Sequence, residues 1–279
     1  MLVHLKFLLV FLLKKLEQEN SFSIYLKVIM MKVNYRDEMK RYDDVYQSSS
    51  LRNLAQGSMF EQAEFQEPYL HYENLVNSFL RDDMKILELA SGDGAYSNLA
   101  LQENSISFIT DISHVSLKRI CSSEEFSKNK VSFIQCDMQQ LPFRDNFFDL
   151  IVMSQSLSYG DTEVVSDEVK RVLSKGGKFV LIDSIYDNFF YTLNRWIKYK
   201  RGLITKSSFK NRLKYKKLLD MSQKFNRYSI STYNSLVFLY PILKIFFSNK
   251  KIVSLSSYFD KKFSIFDKYR FKAVCFFEK

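Results

Sequence analysis

Between residues 84 and 182 the sequence alternates short apolar runs with amphipathic runs, and this alternation constrains the fold more than any other feature. Helical patterns separate the apolar runs, at Ala95–Glu103, Ser113–Ser122 and Glu163–Leu173. Near-continuous apolar strands that alternate with helices indicate an α/β fold, with a mostly parallel sheet covered on both faces. Such a sheet binds ligands at the carboxyl ends of its strands. The predicted strands are Met84–Leu89, Ile106–Thr110, Val131–Cys136, Phe148–Met153, Lys178–Ile182, Arg227–Tyr233 and Phe271–Phe277.

Glycine is scarce, with seven residues in 279, so its positions are informative. Gly92 and Gly94 follow the first predicted strand, where small residues allow a ligand to lie against the backbone of a helix start. An acid, Glu88, lies inside the end of that strand, where it would repel a pyrophosphate and attract an ammonium group. Asp111 ends the second strand, and its two oxygens can bind both hydroxyls of a ribose. The predicted ligand has a ribose and a cationic end, and it lacks a pyrophosphate.

At these positions the sequence resembles the class I S-adenosylmethionine (SAM)-dependent methyltransferases, in particular the quinone-biosynthesis-like (type 11) branch. In this chain Ala90 stands where the family usually has glycine, and we expect that departure to be mild because alanine is the next smallest residue. In the turn before the fifth strand, Ser174 and Lys175 stand where the family's motif has a lysine and a proline. The resemblance covers residues 88–179 through five segments in the family's order, namely Glu88–Gly94, Asp111–Ile112, Cys136–Phe143, Phe148–Ser154 and Arg171–Phe179.

The resemblance implies a Rossmann-like, doubly wound fold with a seven-stranded, mostly parallel sheet and one antiparallel strand near the C-terminus. It also implies that SAM is the cofactor. Asp111 and Asp137 can in addition cap the helices that follow them, because a carboxylate has lone pairs for both tasks. The predicted cofactor-binding residues are Glu88, Ala90, Ser91, Gly92, Asp111, Ile112, Asp137, Met138 and Ser154.

The loop after the fourth strand is the predicted place of methyl transfer. Tyr159 and Asp161 in that loop, and Asp183 at the end of the fifth strand, are the candidates for contact with the acceptor or for a general base. Asp161 can equally be an ordinary N-cap of the next helix. The sequence leaves both interpretations open.

Positive charge is concentrated in the last third of the chain. The whole sequence carries 41 basic and 31 acidic residues, for a net charge of +10. The segment 190–279 alone holds 21 basic and 4 acidic residues, and Arg195–Lys217 has ten basic residues and no acidic one. Such a block suits a nucleic acid, an anionic lipid surface or a phosphorylated substrate. A solvated helix face in a lysine-rich chain is the alternative.

A second resemblance, to methyltransferases of bacterial surface-polysaccharide biosynthesis, gives this block a role. It implies that the insert after the fifth strand covers the acceptor site. Arg195, Arg201 and Arg212 are then predicted to contact an anionic sugar acceptor, linked to a nucleotide or to a lipid diphosphate.

These observations predict an enzyme, a SAM-dependent methyltransferase that acts on a small-molecule or lipid-linked acceptor, with a sugar hydroxyl favoured. An RNA methyltransferase is an alternative, although the sequence shows no aromatic-basic RNA-binding module and nucleic acid is not an expected partner. A second alternative is a protein that binds SAM without catalysing a reaction and serves as a partner module. A nicotinamide dehydrogenase is disfavoured by Glu88 and by Ser97 at the third glycine position.

The predicted organisation has four parts: an apolar extension (1–30), a helical lead-in (31–83), the SAM-binding core (84–189), and a basic acceptor-side insert with the C-terminal strands of the same domain (190–279). The apolar run Leu2–Leu13 is too short to span a membrane. We favour the interpretation that it precedes a true start at Met30 or Met31. An interfacial anchor and a packed helix are the alternatives.

The numbers and spacing of cysteine and histidine indicate the redox state of the compartment and whether a metal site is expected. Three cysteines without a C-x-x-C pair favour a reducing compartment, with no disulfide partner. Three histidines without an H-x-x-x-H pattern predict no metal site. We therefore expect a cytoplasmic protein, with peripheral contact at the inner face of the membrane as an extension of that prediction.

Overall fold

The computed structural model describes residues 39–44, 66–101, 104–122, 126 and 130–279. Within them, seven strands form one sheet in the order β3-β2-β1-β4-β5-β7-β6. Strands β1 to β5 pair in parallel, whereas β7 runs antiparallel between β5 and β6. The predicted doubly wound sheet, with one reversed strand near the C-terminus, is confirmed. The strands are β1 Lys85–Leu89, β2 Ile106–Asp111, β3 Val131–Gln135, β4 Phe148–Ser154, β5 Leu173–Ser184, β6 Arg227–Tyr233 and β7 Lys272–Glu278.

Helices cover the sheet and follow most of its strands. Short polar side chains accept hydrogen bonds from the first turns of several of them, as N-caps do. The segment 39–44 is also helical. The longer elements are α1 Glu67–Phe79, α2 His114–Cys121, α3 Thr162–Val172, α4 Phe189–Lys200, α5 Lys206–Lys210, α6 Tyr215–Ser222, α7 Tyr240–Phe246 and α8 Asn249–Lys262.

One predicted helix, Ala95–Glu103, is wrong over the residues that the structure describes. The chain forms only a four-residue 3-10 turn there, Ser97–Ala100, and Leu101 is already extended. Gly94 precedes the turn with a φ of +82°, and serine and asparagine occupy its first two positions. Such residues favour turns over helix interiors because their side chains compete for backbone hydrogen bonds.

Apolar side chains from alternate strand positions form a core on each face of the sheet. Leu87 and Ile151 belong to one fully buried cluster, which α3 and α6 cover. Ile86 and Val152 belong to the cluster on the other face, against α1. Each such aliphatic side chain contributes about 1.5–3 kcal/mol on burial. The two covered faces leave the strand ends as the place where polar groups gather.

The predicted extension 1–30, and with it the choice of start, lies outside the described residues, as does much of the predicted lead-in 31–83. The division at residue 189 stays a prediction. Among the helices of the described ranges, none is both long and apolar enough to cross a bilayer.

Candidate active site

The turn after β1 folds back on itself through three residues with left-handed backbone. Ala90, Gly92 and Gly94 have φ angles of +52°, +59° and +82°. This curvature brings small residues and backbone N–H groups to the carboxyl edge of the sheet. The expectation that Ala90 is a mild departure considered only size. A left-handed φ costs an L-residue about 1–2 kcal/mol, so the alanine carries a conformational cost that glycine would not.

Asp111 fastens that turn to the start of α2. Its Oδ2 accepts a hydrogen bond from the Gly92 N–H at 2.8 Å, and its Oδ1 accepts one from the Ser113 N–H at 2.8 Å. Burial raises the pKa of this carboxyl to about 6, although the backbone hydrogen bonds oppose the change. Each carboxylate oxygen keeps a further lone pair, so Asp111 can order the loop and still accept hydrogen bonds from ligand hydroxyls.

Glu88 is the second buried acid of this edge, and only 3% of its surface is exposed. Burial raises its pKa to about 7, and the negative charges of Asp111 and Asp93 add to that effect. Among the described residues, its Oε2 has no hydrogen-bond partner. A buried carboxylate oxygen without a partner is costly unless a bound group satisfies it. This buried hydrogen-bond acceptor therefore fits a ligand with a cationic, hydrogen-bond-donating end.

The loop after β3 lies against the loop after β4. Asp137 Oδ1 accepts a hydrogen bond from the Gln139 N–H at 2.8 Å, and Gln139 Oε1 accepts one from the Asp161 N–H at 2.9 Å. Burial raises the pKa of Asp137. A Cβ built on Gly160 would stand only 2.8 Å from the Met138 Cε. Glycine at position 160 thus allows the two loops to pack closely.

The remaining predicted cofactor residues lie at the same edge. The Ser156 hydroxyl approaches two carbonyl oxygens, that of Ser154 at 2.7 Å and that of Ala90 at 3.1 Å, and so links β4 to the turn after β1. The Ser91 N–H donates to the Thr110 carbonyl at 3.0 Å. The Ile112 carbonyl accepts from Gln135 Nε2 at 2.9 Å. The structure therefore places all nine predicted cofactor residues on loops at this edge or on the strand ends beside it.

The three catalytic candidates occupy different environments. Asp161 caps α3, because its Oδ1 accepts a hydrogen bond from the Glu163 N–H at 3.1 Å. Tyr159 lies in a 3-10 turn and is half-buried. Asp183 is buried, and it accepts hydrogen bonds from the N–H groups of Leu157 at 2.9 Å and Ser184 at 2.6 Å. Burial raises the pKa of Asp183. A catalytic role for each of them stays a prediction.

The helical segment 39–44 touches both sides of this site. The Ser113 hydroxyl donates to Asp43 Oδ1 at 2.5 Å, beside Asp111. The Tyr42 ring packs edge-on against the Tyr159 ring, with 5.4 Å between centroids. This segment therefore connects the predicted cofactor side to the predicted acceptor side.

The three predicted acceptor-binding arginines are not equivalent. Arg201 is exposed, and Arg212 is half-buried. Arg195 is buried, and its guanidinium donates to the hydroxyls of Tyr186 at 3.1 Å, Ser158 at 3.0 Å and Ser208 at 2.8 Å. In this geometry Arg195 fastens α4 to the loop after β4 and to α5. A phosphate contact from Arg195 would require its guanidinium to exchange these partners.

Lys272 is a site residue that the sequence did not reveal. It begins β7, and because β7 is reversed, this first residue lies at the edge where β5 and β6 end, opposite Ser184 and Tyr233. It is 1% exposed, and its Nζ donates to Gln155 Oε1 at 2.8 Å. Burial lowers the pKa of its ammonium to about 8, while Asp183 opposes that change. Its only sequence signal was a lysine at the second position of the predicted strand Phe271–Phe277.

Comparisons with known proteins agree with this geometry. Residues 87–181 match the family model described as "Methyltransferase domain". Over this segment the chain is thus similar to class I methyltransferase domains of the type 11 branch. The comparisons support SAM as the cofactor, which the resemblance implied and which has the ribose and the cationic end inferred from Glu88 and Asp111.

Curated methyltransferases match this chain over a stretch of similar length. "Ubiquinone/menaquinone biosynthesis C-methyltransferase UbiE" from Shewanella sp. (strain W3-18-1) and from Shewanella baltica (strain OS155 / ATCC BAA-1091) are each 32% identical over 110 residues. The alignment covers 37% of this chain and 43% of the relatives. The chain thus matches less than half the length of these relatives.

Solved methyltransferases share the fold at low identity. Phosphoethanolamine N-methyltransferase 2 from Haemonchus contortus, in complex with SAM, has a TM-score of 0.55 at 14% identity, covering 85% of this chain and 60% of that one. A geranyl diphosphate methyltransferase has a TM-score of 0.53 at 14% identity, and the alignment covers 75% of this chain and 77% of that one. At this identity the likeness concerns the fold.

Proposed function

We propose that this protein transfers the methyl group of SAM to a small-molecule or lipid-linked acceptor. The observation that carries the proposal is the pair of buried carboxylates at the ends of β1 and β2. Glu88 would hold the ammonium group of SAM, and Asp111 would hold its ribose hydroxyls. SAM supplies an electrophilic methyl group when it is bound, and the protein supplies position and electrostatics.

The acceptor would lie over the ends of β4 and β5 and the start of β7. Asp183 and Lys272 are buried there, and the pKa of Asp183 is raised while that of Lys272 is lowered to about 8. A carboxylate with a raised pKa is a better proton acceptor, and an adjacent ammonium stabilises negative charge on an acceptor oxygen. The Lys272 Nζ donates a hydrogen bond to Oε1 of Gln155, an exposed residue directly after β4.

The identity of the acceptor is the finer part of the proposal. The exposed cationic segment after β5 supports an anionic or lipid-linked acceptor, and a sugar hydroxyl is the candidate carried forward from the sequence. The comparisons give no support for a role in polysaccharide biosynthesis. The relatives' printed names instead make a quinone precursor the acceptor to test beside it.

Calorimetry and turnover test the proposal in two steps. We expect binding of SAM and S-adenosylhomocysteine and none of NAD, and Asp111→Ala should weaken SAM binding by about 1.5–3 kcal/mol. Formation of S-adenosylhomocysteine is then measured with a prenylated hydroquinone, a nucleotide sugar, a lipid-diphosphate sugar and an RNA. NAD binding without SAM binding would refute the proposal, and SAM binding without turnover on any acceptor would favour a non-catalytic partner module.

A further inference from the structure

Helices α4 and α7 expose large apolar side chains that the methyl-transfer site does not use. On α4, Phe189, Leu193, Trp196 and Ile197 recur at the spacing of one helix face, and Phe189 is 69% exposed. The opposite face of α4 is buried through Tyr191 and Arg195. The helix is therefore anchored on its inner side while a row of hydrophobic side chains points to solvent.

The second part of this surface is α7 and the residue after it. Ile242, Ile245, Phe246 and Phe247 are exposed, with Ile245 at 75% and Phe246 at 72%. The start of α4 adjoins this part, because the ring of Phe190 stacks on that of Phe238 at 5.5 Å, just before α7. We call the exposed apolar side chains of α4, including Phe190, and of α7, together with Phe247, the aromatic ridge. Contiguous exposed apolar surface of this kind marks an interaction site.

Basic side chains flank the aromatic ridge, and acids are nearly absent from it. Lys198, Lys200 and Lys244 are exposed on the two helices, and Lys250 and Lys251 are exposed on α8. Between residues 188 and 259 the sequence contains one acid, at position 220. The partner should therefore be apolar at its centre and anionic at its surface.

We propose that the aromatic ridge docks on the surface of an anionic lipid bilayer. Apolar side chains flanked by lysines are the composition of interfacial helices, in which the apolar groups enter the acyl boundary and the ammonium groups remain with the headgroups. A second copy of the chain fits poorly, because two cationic surfaces would face each other. A nucleic acid would leave the protruding aliphatic side chains of Ile242 and Ile245 without a partner.

The position of the ridge gives this docking a consequence for the acceptor. Helix α4 begins five residues after β5 ends, and Arg195 on its inner face bonds Ser158 in the loop after β4. A bilayer that contacts α4 would thus lie beside the acceptor edge. If the proposed methyl transfer is correct, this inference makes the acceptor an amphipathic lipid that enters from the membrane.

Vesicle cosedimentation with the full chain tests the inference without any acceptor. The probes are vesicles of phosphatidylcholine alone and vesicles in which one-third of the lipid is phosphatidylglycerol. We expect at least about tenfold tighter binding to the anionic vesicles, since each lysine near such a surface contributes about 1 kcal/mol. Equal binding to both vesicles, or no binding to either, would overturn the proposal.

Variants separate the ridge from other sources of binding. A triple serine variant of Phe189, Ile245 and Phe246 should lose at least about tenfold in affinity, because three apolar side chains no longer enter the bilayer. The matched control is Ile106→Ser, an exposed apolar residue at the start of β2. If the triple variant binds as tightly as wild type, or if deletion of residues 1–30 alone abolishes binding, the ridge is not the docking surface.

Two further readouts keep the outcomes distinct. Light scattering shows whether the triple variant changes the oligomeric state. A ridge-dependent dimer that binds no vesicles would contradict lipid docking. Calorimetry with SAM should give the same affinity for wild type and the triple variant, which also verifies that the variant is folded. Vesicle binding without methyl transfer would refute only the proposed function, and methyl transfer without vesicle binding would refute only this inference.

Discussion

The buried acid Glu88 predicts that SAM binding depends on pH and is accompanied by proton release. Burial, with the nearby acids, raises its pKa to about 7, so near pH 6 most of the protein without ligand holds a proton on Glu88. An ammonium group that binds there favours the ionised carboxylate. Binding must therefore expel the proton, and this requirement weakens the affinity at low pH.

The size of the effect follows from the two pKa values. If bound SAM returns Glu88 from a pKa of about 7 to its ordinary 4.5, the coupling is worth about 3 kcal/mol. The dissociation constant for SAM should then be about 30-fold higher at pH 5.5 than at pH 8 through this group alone. Between those values, close to one proton should leave per SAM bound near pH 6.

Calorimetry in buffers of different ionisation enthalpy measures both quantities. Glu88→Gln should remove the roughly 30-fold difference between the SAM dissociation constants at pH 5.5 and pH 8 that is due to Glu88. The smaller pH dependence that remains would come from Asp111, whose pKa is about 6. Asp167→Asn is the control, because this acid is exposed and bonds Lys224. Equal affinity at pH 5.5 and 8, or an unchanged pH dependence in the Glu88 variant, would refute the assignment of the ammonium group to Glu88.

The same pKa predicts how stability varies with pH when no ligand is bound. The folded state binds the Glu88 proton more tightly than the unfolded chain does, so the free energy of unfolding should fall as pH rises from 4.5 to 7. Denaturant titrations of wild type and Glu88→Gln measure this. The idea fails if the slope over that window is the same in both proteins.

Four further substitutions test other parts of the structure. Ala90→Gly should stabilise the protein by about 1 kcal/mol in denaturant titrations, because glycine relieves the left-handed backbone, and a loss would contradict this. Gly160→Ala should destabilise by about 1–3 kcal/mol, because the added methyl meets side chains at 2.8 and 2.9 Å. Arg195→Lys should cost about 2 kcal/mol, against less than about 0.5 kcal/mol for the exposed control Arg201→Lys, and equal costs would refute an anchoring role. Lys272→Met should abolish methyl transfer with SAM affinity unchanged, whereas activity near wild type would remove Lys272 from the acceptor side.

Much of the cofactor side could be predicted from the sequence because its signals are local. The strands are continuous apolar runs, and Glu88 and Asp111 lie at the carboxyl ends of two of them. The helix predicted at residues 95–103 failed because serine, asparagine and a left-handed Gly94 outweigh the apolar spacing.

The acceptor side was harder to predict from the sequence because its residues come together only through tertiary contacts. Arg195 was predicted to contact an anionic acceptor, yet it is buried and its partners Ser158 and Ser208 are 37 and 13 residues away. One reversed strand near the C-terminus was predicted but not assigned, so Lys272 could not be distinguished from the other basic residues until the structure identified β7 as that strand. Which lysines are buried depends on that reversal, and composition does not reveal it.

The insertion of β7 between β5 and β6 also sets the order in which the sheet can be completed during synthesis. In the described part of the chain, the outer edge of β5 and the inner edge of β6 pair only with β7, which is the last strand to be made. Ribosomes add about 5–20 residues per second, so β7 is synthesised roughly 5–20 s after β5, and the outer edge of β5 stays unpaired for that time. During translation, the nascent chain thus presents an apolar, unpaired strand edge to the cell, and chaperones that shield such edges would matter most in that interval.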